Sequence, residues 1–509
     1  MIVGECEGAS NGVTLDRLFR RAGVRNPERL ALVDPPDRER IADGAPRALT
    51  FAEADRAISA LAGRLRGFKL QTDAIVAIQL GNTIESVISL LAVLRAGMIA
   101  APLPLLWRER DIVAALGSVG AKAIVTAGRI GAERHAEIAM RAAAELFCIR
   151  HVCAFGADVP DGVAPLDDIF ANGQGPFVHP PARPGNPSAH VALVTFDTTA
   201  QGLEPVARHH GALLAGGFAI TQEAAGEPEA AILSTILPGS FAAIALSVVP
   251  WLLGSGTLHL HHPLDAEVFA QQCVAIDVGM IVAPGPALVG LGATGALDHA
   301  GITVTALWRA PERIGSVAPW EHKAPLIDIA AFGELGFVAR RRGIDGHPAP
   351  LPYGAGTASL PDADAPVAIE TRRSAGGTLL LRGPMLPAAN FPARPEPGDA
   401  RPFAMDSEGF IDSGFACRHD PERAALVITA PPAGIVSVGG YRFCEQVIED
   451  AVATIDPEAT IAALPEAALG QRLAGCTRNI GELTSVLTTR GANPLVARAF
   501  RPHPAAQRG

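Results

Sequence analysis

Residues Val194–His210 read VTFDTTAQGLEPVARHH, a stretch with the threonines of a phosphate-binding loop but not its other features. Its hydroxyls come from Thr195, Thr198 and Thr199. A phosphate loop also needs glycines, converging N–H groups and usually a lysine. This stretch has no lysine, and it carries Asp197 and Glu204, whose carboxylates repel a polyphosphate. It therefore predicts either a worn or repurposed nucleotide site or a threonine-rich turn between the strand 191–196 and a helix that starts near His209.

Composition limits the class of protein. The chain has 509 residues, of which 49% are hydrophobic and 18% charged, and this indicates a globular protein large enough for several cores. The net charge of −10 disfavours a nucleic-acid partner and an acidic membrane surface. The seven cysteines have no paired metal-ligand spacing, and the first residues show no basic region before an apolar run. We therefore expect a cytoplasmic protein, with Cys148 and Cys153 as reduced core thiols on a strand.

Two segments resemble a membrane span and a metal site, but other features of the sequence argue against both interpretations. Residues 230–260 carry no Asp, Glu, Lys or Arg, but prolines and glycines predict a strand, a buried helix and a second strand instead of a membrane span. The sequence LHLHH at 258–262 could hold a metal, yet strand alternation puts His259 and His261 on one face and His262 on the other. We expect a strand end with His262 exposed.

The distribution of apolar residues predicts the fold class. Residues 14–145 alternate amphipathic helices with short apolar strands, a pattern typical of βαβ units and a parallel sheet. Residues 344–430 consist of strands between turns and predict a β-rich subdomain. The sequence Pro-Pro-Ala-Gly at 431–434 predicts a domain boundary that is mobile about Gly434. It divides the chain into a large domain, 1–430, and a small domain, 431–509.

Several motifs follow one another in a fixed order from about residue 14 to residue 470. They are found at 49–66, 76–112, 194–210, 236–260, 307–313, 326–339, 377–384, 408–420 and 434–452. Together they resemble the AMP-dependent synthetase and ligase family, which includes acyl-CoA synthetases, peptide-synthetase adenylation domains and luciferases. The resemblance implies an α/β fold with two large helix-flanked sheet subdomains, a β-rich subdomain and a small α+β C-terminal domain.

The resemblance also implies an activity and a set of site residues. The family activates a carboxylic acid as an acyl-adenylate with ATP and magnesium and then transfers it to coenzyme A. The nucleotide positions would be Thr195, Thr198, Thr199 and Glu334, with Glu334 as the magnesium ligand. The pocket positions would be His209, Phe241, Trp308, Arg309, Ala310 and Ala330. The coenzyme A and hinge positions would be Gly434, Gly439, Gly440 and Tyr441.

Departures from the family pattern cluster at the chemistry. Leu203 stands where the loop lysine should be, Phe415 replaces the aspartate that grips the ribose, and Pro431 replaces the hinge arginine. Trp308 and Arg309 replace two glycines that leave room for adenine and the acyl carboxylate, and we expect Trp308 partly to fill that space. In the second nucleotide motif an aromatic residue, a glycine and a threonine have become Ala330, Ala331 and Gly333, and the last residues lack the motif that carries the family's catalytic lysine.

Two hypotheses stay open. The first is an acyl-CoA synthetase-type ligase. The second is a catalytically impaired relative that binds an acid, an acyl thioester, a protein partner or a second copy of itself as a scaffold or regulator. Losing one preorganised donor costs about 3–4 kcal/mol of transition-state stabilisation, so the combined departures favour the second hypothesis.

Overall fold

The computed structural model of the chain describes residues 12–171, 177–224, 229–299, 301–355, 369–387, 391, 403–466 and 469–502. Within these residues two large, mainly parallel sheets are accompanied by helices, and an antiparallel sheet and a small C-terminal unit follow them along the chain. The α/β architecture predicted from the sequence is thereby confirmed.

Seven strands of the described chain form the first large sheet. In spatial order they are Ala164–Pro165, His151–Phe155, Ala123–Ala127, Ile75–Ile78, Ile99–Pro102, Val191–Thr199 and Gly202–His209. Neighbouring strands run parallel except the last two, which form an antiparallel hairpin. The parallel strands are mostly buried, in agreement with their continuous apolar runs.

Eight strands of the described chain form the second large sheet. In spatial order they are Gly336–Arg341, Leu326–Phe332, Thr303–Trp308, Val278–Pro284, Ala231–Ser234, Leu258–Leu260, Leu30–Val33 and Ala48–Thr50. The six central strands are parallel, and one antiparallel strand lies at each edge. The longer helices before residue 344 are Leu15–Arg25, Phe51–Gly67, Ile84–Arg95, Glu109–Val119, His135–Glu145, His210–Ala224 and Ala266–Ala275.

The β-rich subdomain predicted for 344–430 is an antiparallel sheet. Its strands in the described residues are Leu351–Pro352, Ala425–Ala430, Ile411–Asp420, Thr378–Arg382, Glu370–Arg373 and Gly354–Ala355. The C-terminal unit begins with a hairpin of the strands Ile435–Val438 and Tyr441–Cys444, which we name the closing hairpin. Its remaining elements are the helices Glu445–Ala453, Ile480–Thr489 and Pro494–Ala497 and the strands Thr460–Glu466, Gly470–Thr477 and Phe500–Pro502.

The apolar segment 230–260 is divided as its prolines and glycines predict. A strand, Ala231–Ser234, is followed by helical residues 241–254 with a π-helical turn at Ile244–Val248, and then by the strand Leu258–Leu260. Among the described residues no helix has both the length and the apolar character that a membrane crossing requires.

The helix Ile84–Arg95 is buried along its whole length, so even its two charged residues are enclosed. Glu85 accepts hydrogen bonds from Arg38 (2.7 Å) and Arg47 (2.6 Å), and Arg95 donates to Asp16 (2.7 Å). Buried charges need such partners, because removing one partner leaves an uncompensated ion. These pairs allow the helix to carry two charged residues in the core.

The buried carboxyl of Asp111 makes the stability of this part of the fold depend on pH. It lies in the first turn of the helix Glu109–Val119, and one carboxylate oxygen is buried without a hydrogen-bond partner. Burial raises the pKa of its carboxyl from 3.8 to about 6. Because the folded-state pKa lies above the unfolded-state pKa, ionisation destabilises the fold as the pH rises through this range.

Asp111→Asn is therefore expected to raise the free energy of unfolding by about 1–2 kcal/mol at about pH 8 and to leave it unchanged at about pH 4. Urea unfolding at the two pH values measures this difference. The exposed Asp158, changed to Asn, is the matched control and should show no pH-dependent gain. An equal effect of Asp111→Asn at both pH values would contradict the assignment.

Candidate functional site

The stretch 194–210 belongs to a β-hairpin of the strands Val191–Thr199 and Gly202–His209, which we name the threonine hairpin. The predicted turn running directly into a helix is wrong, because a second strand precedes the helix that begins at His210. Backbone N–H groups that pair across a hairpin are directed into the ladder and do not converge on a single anion.

The three threonine hydroxyls donate to backbone carbonyls of the chain itself. Thr195 donates to Val206 (3.5 Å), Thr198 to Arg442 (3.2 Å) and Thr199 to Gly202 (3.1 Å). Of the three, Thr198 lines the cleft described below. The Thr198 bond joins the threonine hairpin to the closing hairpin.

Asp197 lies between the two hairpins and is 2% exposed. Its Oδ1 accepts a hydrogen bond from Arg442 Nη1, and its Oδ2 accepts one from the backbone N–H of Glu334 (2.9 Å). Gly333, with φ +59°, makes room for this pair, because a Cβ there would collide with both side chains. The Asp197 carboxylate, which would repel a polyphosphate, is thus neutralised by the guanidinium of Arg442.

Glu334 is buried next to this pair and is also engaged on both oxygens. Its Oε2 accepts a hydrogen bond from the Phe241 N–H (2.9 Å), and its Oε1 lies 3.4 Å from Arg309 Nη1. Arg309 also donates to the Ser240 hydroxyl. The candidate magnesium ligand is therefore held by an arginine and a backbone donor.

Arg208 lies behind the cleft and does not line it. It donates to the Leu335 carbonyl (2.6 Å), the Met385 carbonyl (3.2 Å) and the Glu334 carbonyl, and its guanidinium lies 3.8 Å from the Phe241 ring centroid. Burial lowers the pKa of Arg208 to about 10. Its charge supports the loop that carries Glu334.

A cleft of about 500 Å³ opens at the carboxyl ends of strands from both large sheets. The strand-end residues that line it are Pro102, Thr198, Thr235, Pro284, Trp308 and Gly333. The closing hairpin contributes Ser437, Gly439, Gly440, Tyr441 and Arg442. Strand carboxyl ends are where open α/β sheets bind ligands, and the volume is typical of a small-molecule site.

Trp308 forms part of the cleft wall and is 5% exposed. Its Nε1–H donates to Asp328 (2.8 Å), which Arg342 holds with two further hydrogen bonds (2.7 and 3.0 Å). The indole lies so close to Gly285 that a Cβ there would overlap it. The ring therefore occupies space in the wall, and the cleft remains open beside it.

Four further candidate positions line the cleft and four lie outside its lining. Ala310, Gly439, Gly440 and Tyr441 line it, and the Tyr441 hydroxyl accepts a hydrogen bond from the Leu106 N–H (3.1 Å). Phe241, Ala330, His209 and Gly434 do not. Phe241 and Ala330 are buried, His209 Nδ1 accepts the Ala212 N–H (3.0 Å) at the helix start, and Gly434 has φ +71° just before the closing hairpin.

The histidines at 259–262 are held by polar neighbours in the interior. His261 contacts Gln272 (3.0 Å), and His262 accepts a hydrogen bond from the Asn82 N–H (3.3 Å). Burial lowers the pKa of both His259 and His262 to about 4. The expectation that His262 is exposed is wrong, because this hydrogen bond draws it into a half-buried position. No group of three metal-ligating side chains occurs among the residues the structure describes.

Arg442 lines the cleft and pairs with Asp197, and sequence reasoning did not include it among the candidate residues. It follows the Gly-Gly-Tyr of the closing hairpin, 245 residues after its partner Asp197. The available signal was Asp197 itself, since an aspartate in an apolar strand without a nearby lysine requires a distant cation. Ser240 was likewise unassigned and is held by Arg309.

The fold and the cleft together define the class of protein. Two helix-flanked sheets with a strand-end cleft and a small C-terminal unit over it form the adenylate-forming, acyl-CoA synthetase-like fold. Residues 19–303, more than half of the chain, match the family of AMP-binding enzymes, and the chain belongs to that family.

Individual relatives agree with this assignment. The amide bond synthetase McbA from Marinactinospora thermotolerans has a TM-score of 0.69 and 17% identity, with 97% of each chain covered. The o-succinylbenzoate CoA synthetase MenE from Bacillus subtilis, solved as a double mutant, has a TM-score of 0.69 and 15% identity, with 96% of this chain and 94% of that one covered. Human long-chain fatty acid transport protein 1 is 36% identical over 119 residues, which are 23% of this chain and 17% of that protein. The chain thus matches about a sixth of that relative's length.

Proposed function

We propose that the protein is an acyl-CoA synthetase-like member of its family that binds a carboxylic acid or an acyl thioester in the cleft and is impaired in ATP-dependent adenylation. The observation that carries this proposal is the buried Asp197–Arg442 pair between the threonine hairpin and the closing hairpin. In the family this hairpin's stretch receives nucleotide phosphate. Here a fixed carboxylate takes part in an internal ion pair at that place.

The residues present do not fit ATP and magnesium. A magnesium ion at Glu334 would have to compete with Arg309 and the Phe241 N–H, which already engage the two carboxylate oxygens. Leu203 supplies no charge where the family has a lysine. Removing one preorganised donor costs about 3–4 kcal/mol of transition-state stabilisation, and several are replaced together.

The replacement of the ribose-binding aspartate supports the same conclusion. Phe415 is 2% exposed and makes an edge-to-face contact with Phe332 at 5.4 Å between ring centroids. It offers no hydrogen-bond acceptor for a ribose hydroxyl. A nucleotide in the family's position would therefore leave its sugar hydroxyls without this partner.

The cleft retains features that suit an acyl ligand. Its apolar lining includes Trp107, Phe196, Ile236, Leu237, Leu264, Pro286 and Val289. Gly439 and Gly440, with φ +55° and +84°, present bare backbone along one side, where the arm of coenzyme A or another thioester would lie. The name of the human relative, a long-chain fatty acid transport protein, is consistent with an apolar acid.

The remaining parts of the proposal concern the cell. A cytoplasmic location is supported by the free thiols of the described cysteines, including buried Cys153, since reduced thiols persist in reducing compartments.

A scaffold or regulatory role through a protein partner or a second copy is the alternative function, and light scattering of the purified protein would detect self-association.

Calorimetry with ATP and magnesium tests the proposal directly. We expect a dissociation constant no tighter than about millimolar, equivalent to about −4 kcal/mol, and no acid-dependent release of pyrophosphate. Acids and acyl thioesters are expected to bind without nucleotide. A working acyl-CoA synthetase assayed in parallel is the positive control, and micromolar affinity for ATP–magnesium would contradict the proposal.

A further inference from the structure

Of the six charged residues that line the cleft, four form ion pairs with one another. Asp197 pairs with Arg442, and Glu334 pairs with Arg309. At the rim, Glu466 accepts the Leu469 N–H (2.6 Å). Arg313 also lines the cleft, and among the described residues its guanidinium has no ion pair and no hydrogen bond.

The backbone of Arg313 is fixed by a hydrogen bond within a short helix. It lies in the short 3₁₀ helix Pro311–Ser316, and its N–H donates to the Ala310 carbonyl (3.0 Å). The neighbouring Glu312 does not form an ion pair with Arg313, because none of its oxygens lies within ion-pair distance of the guanidinium. Burial raises the pKa of the Glu312 carboxyl. The guanidinium of the half-buried Arg313 therefore lines the cleft without an ion pair or hydrogen bond to any described residue.

Apolar residues line the same cleft as the Arg313 guanidinium. Val317 follows the 3₁₀ helix, and Pro286 and Val289 line the same cleft from the segment after the strand Val278–Pro284. Val289 is 85% exposed, so the apolar lining continues to the cleft mouth. One free cation beside apolar walls matches a ligand with an apolar body and one anionic group.

We infer that Arg313 binds the anionic group of an apolar ligand in this cleft, and that this contact selects acids over neutral molecules of the same shape. The inference rests on the proposed acyl-binding function and adds the residue that recognises the charge. The anion can be the carboxylate of a free acid or a phosphate ester. A single free arginine does not match a triphosphate, because the other two arginines among the described lining residues, Arg309 and Arg442, are already paired with carboxylates.

The test is calorimetric titration of the full chain with decanoate, decyl phosphate and decanol, without nucleotide. For the wild type we expect decanoate or decyl phosphate to bind at least about tenfold more tightly than decanol. Arg313→Gln should weaken binding of the preferred anion by about 10- to 100-fold, about 1.4 to 2.8 kcal/mol, and leave binding of decanol unchanged. Arg313→Lys should restore part of the affinity because it restores the charge.

Controls separate this inference from the proposed function and from misfolding. Arg418→Gln, at an exposed arginine outside the cleft lining, should bind every probe as the wild type does. Unchanged anion affinity in Arg313→Gln, equal binding of decanol and the anions, or no binding of either anion would overturn the inference. Tight binding of ATP–magnesium would refute impaired adenylation alone, and the Arg313→Gln comparison would still decide the role of Arg313.

Discussion

Arg442→Ala is expected to lower the free energy of unfolding by about 3 kcal/mol and to loosen the closing hairpin from the threonine hairpin. The substitution removes the cation and leaves the Asp197 carboxylate buried, with the Glu334 N–H as its remaining donor. The side chains of the pair are 10% and 2% exposed, so water cannot replace the lost partner well. Urea unfolding measures the energy, and proteolysis within 431–436 should become faster.

A double-mutant cycle supplies the control for this result. Asp197→Asn combined with Arg442→Ala removes both charges, and it should recover part of the stability lost in the single variant. Arg442→Lys should lie between the wild type and the alanine variant. A loss below about 0.5 kcal/mol in Arg442→Ala would show that the pair does not hold the two hairpins together. Mobility about Gly434 in the wild type stays a prediction, and the same proteolysis tests it.

Trp308→Gly is expected to lower the free energy of unfolding by about 3–5 kcal/mol, because a buried indole and its hydrogen bond to Asp328 are removed. The freed volume adjoins the cleft, in the place where the family's glycine leaves room for adenine. Adenosine should therefore bind more tightly to the variant than to the wild type, while acid-dependent release of pyrophosphate stays absent.

Trp308→Phe is the matched control because it retains most of the ring volume and loses the N–H donor. We expect a loss of about 1 kcal/mol and no gain in adenosine affinity, since Arg342 still holds Asp328. If Trp308→Gly bound adenosine no better than Trp308→Phe, the indole would not be what limits the space. Pyrophosphate release by the wild type with any acid would contradict impaired adenylation.

Local patterns in the sequence were sufficient for much of the fold. Apolar residues recur at helical spacing over Thr83–Leu94, and the structure has the helix Ile84–Arg95 there. The prolines and glycines of 230–260 predict the division of that segment into strand, helix and strand. These patterns report which faces are buried, and burial follows from neighbours a few residues away. The second strand of the threonine hairpin was missed because Pro205 disfavours a strand interior, although the edge of a sheet tolerates it.

The sequence names candidate site residues but does not give their contacts. Trp308 and Arg309 line the cleft, whereas Phe241 is buried outside its lining. The decisive partner, Arg442, reaches Asp197 from a different part of the chain, and no local periodicity encodes such a contact. Long-range pairs of this kind depend on how the small unit packs on the sheets.

Gly333 has a consequence for how this protein can change over evolution. Any side chain at position 333 would collide with Asp197 and Arg442, so the threonine of the family pattern is sterically incompatible with the present pair. A threonine at position 333 would be accepted only together with a change at Asp197 or Arg442 that frees the space beside it. The three positions are therefore expected to change together and not one at a time.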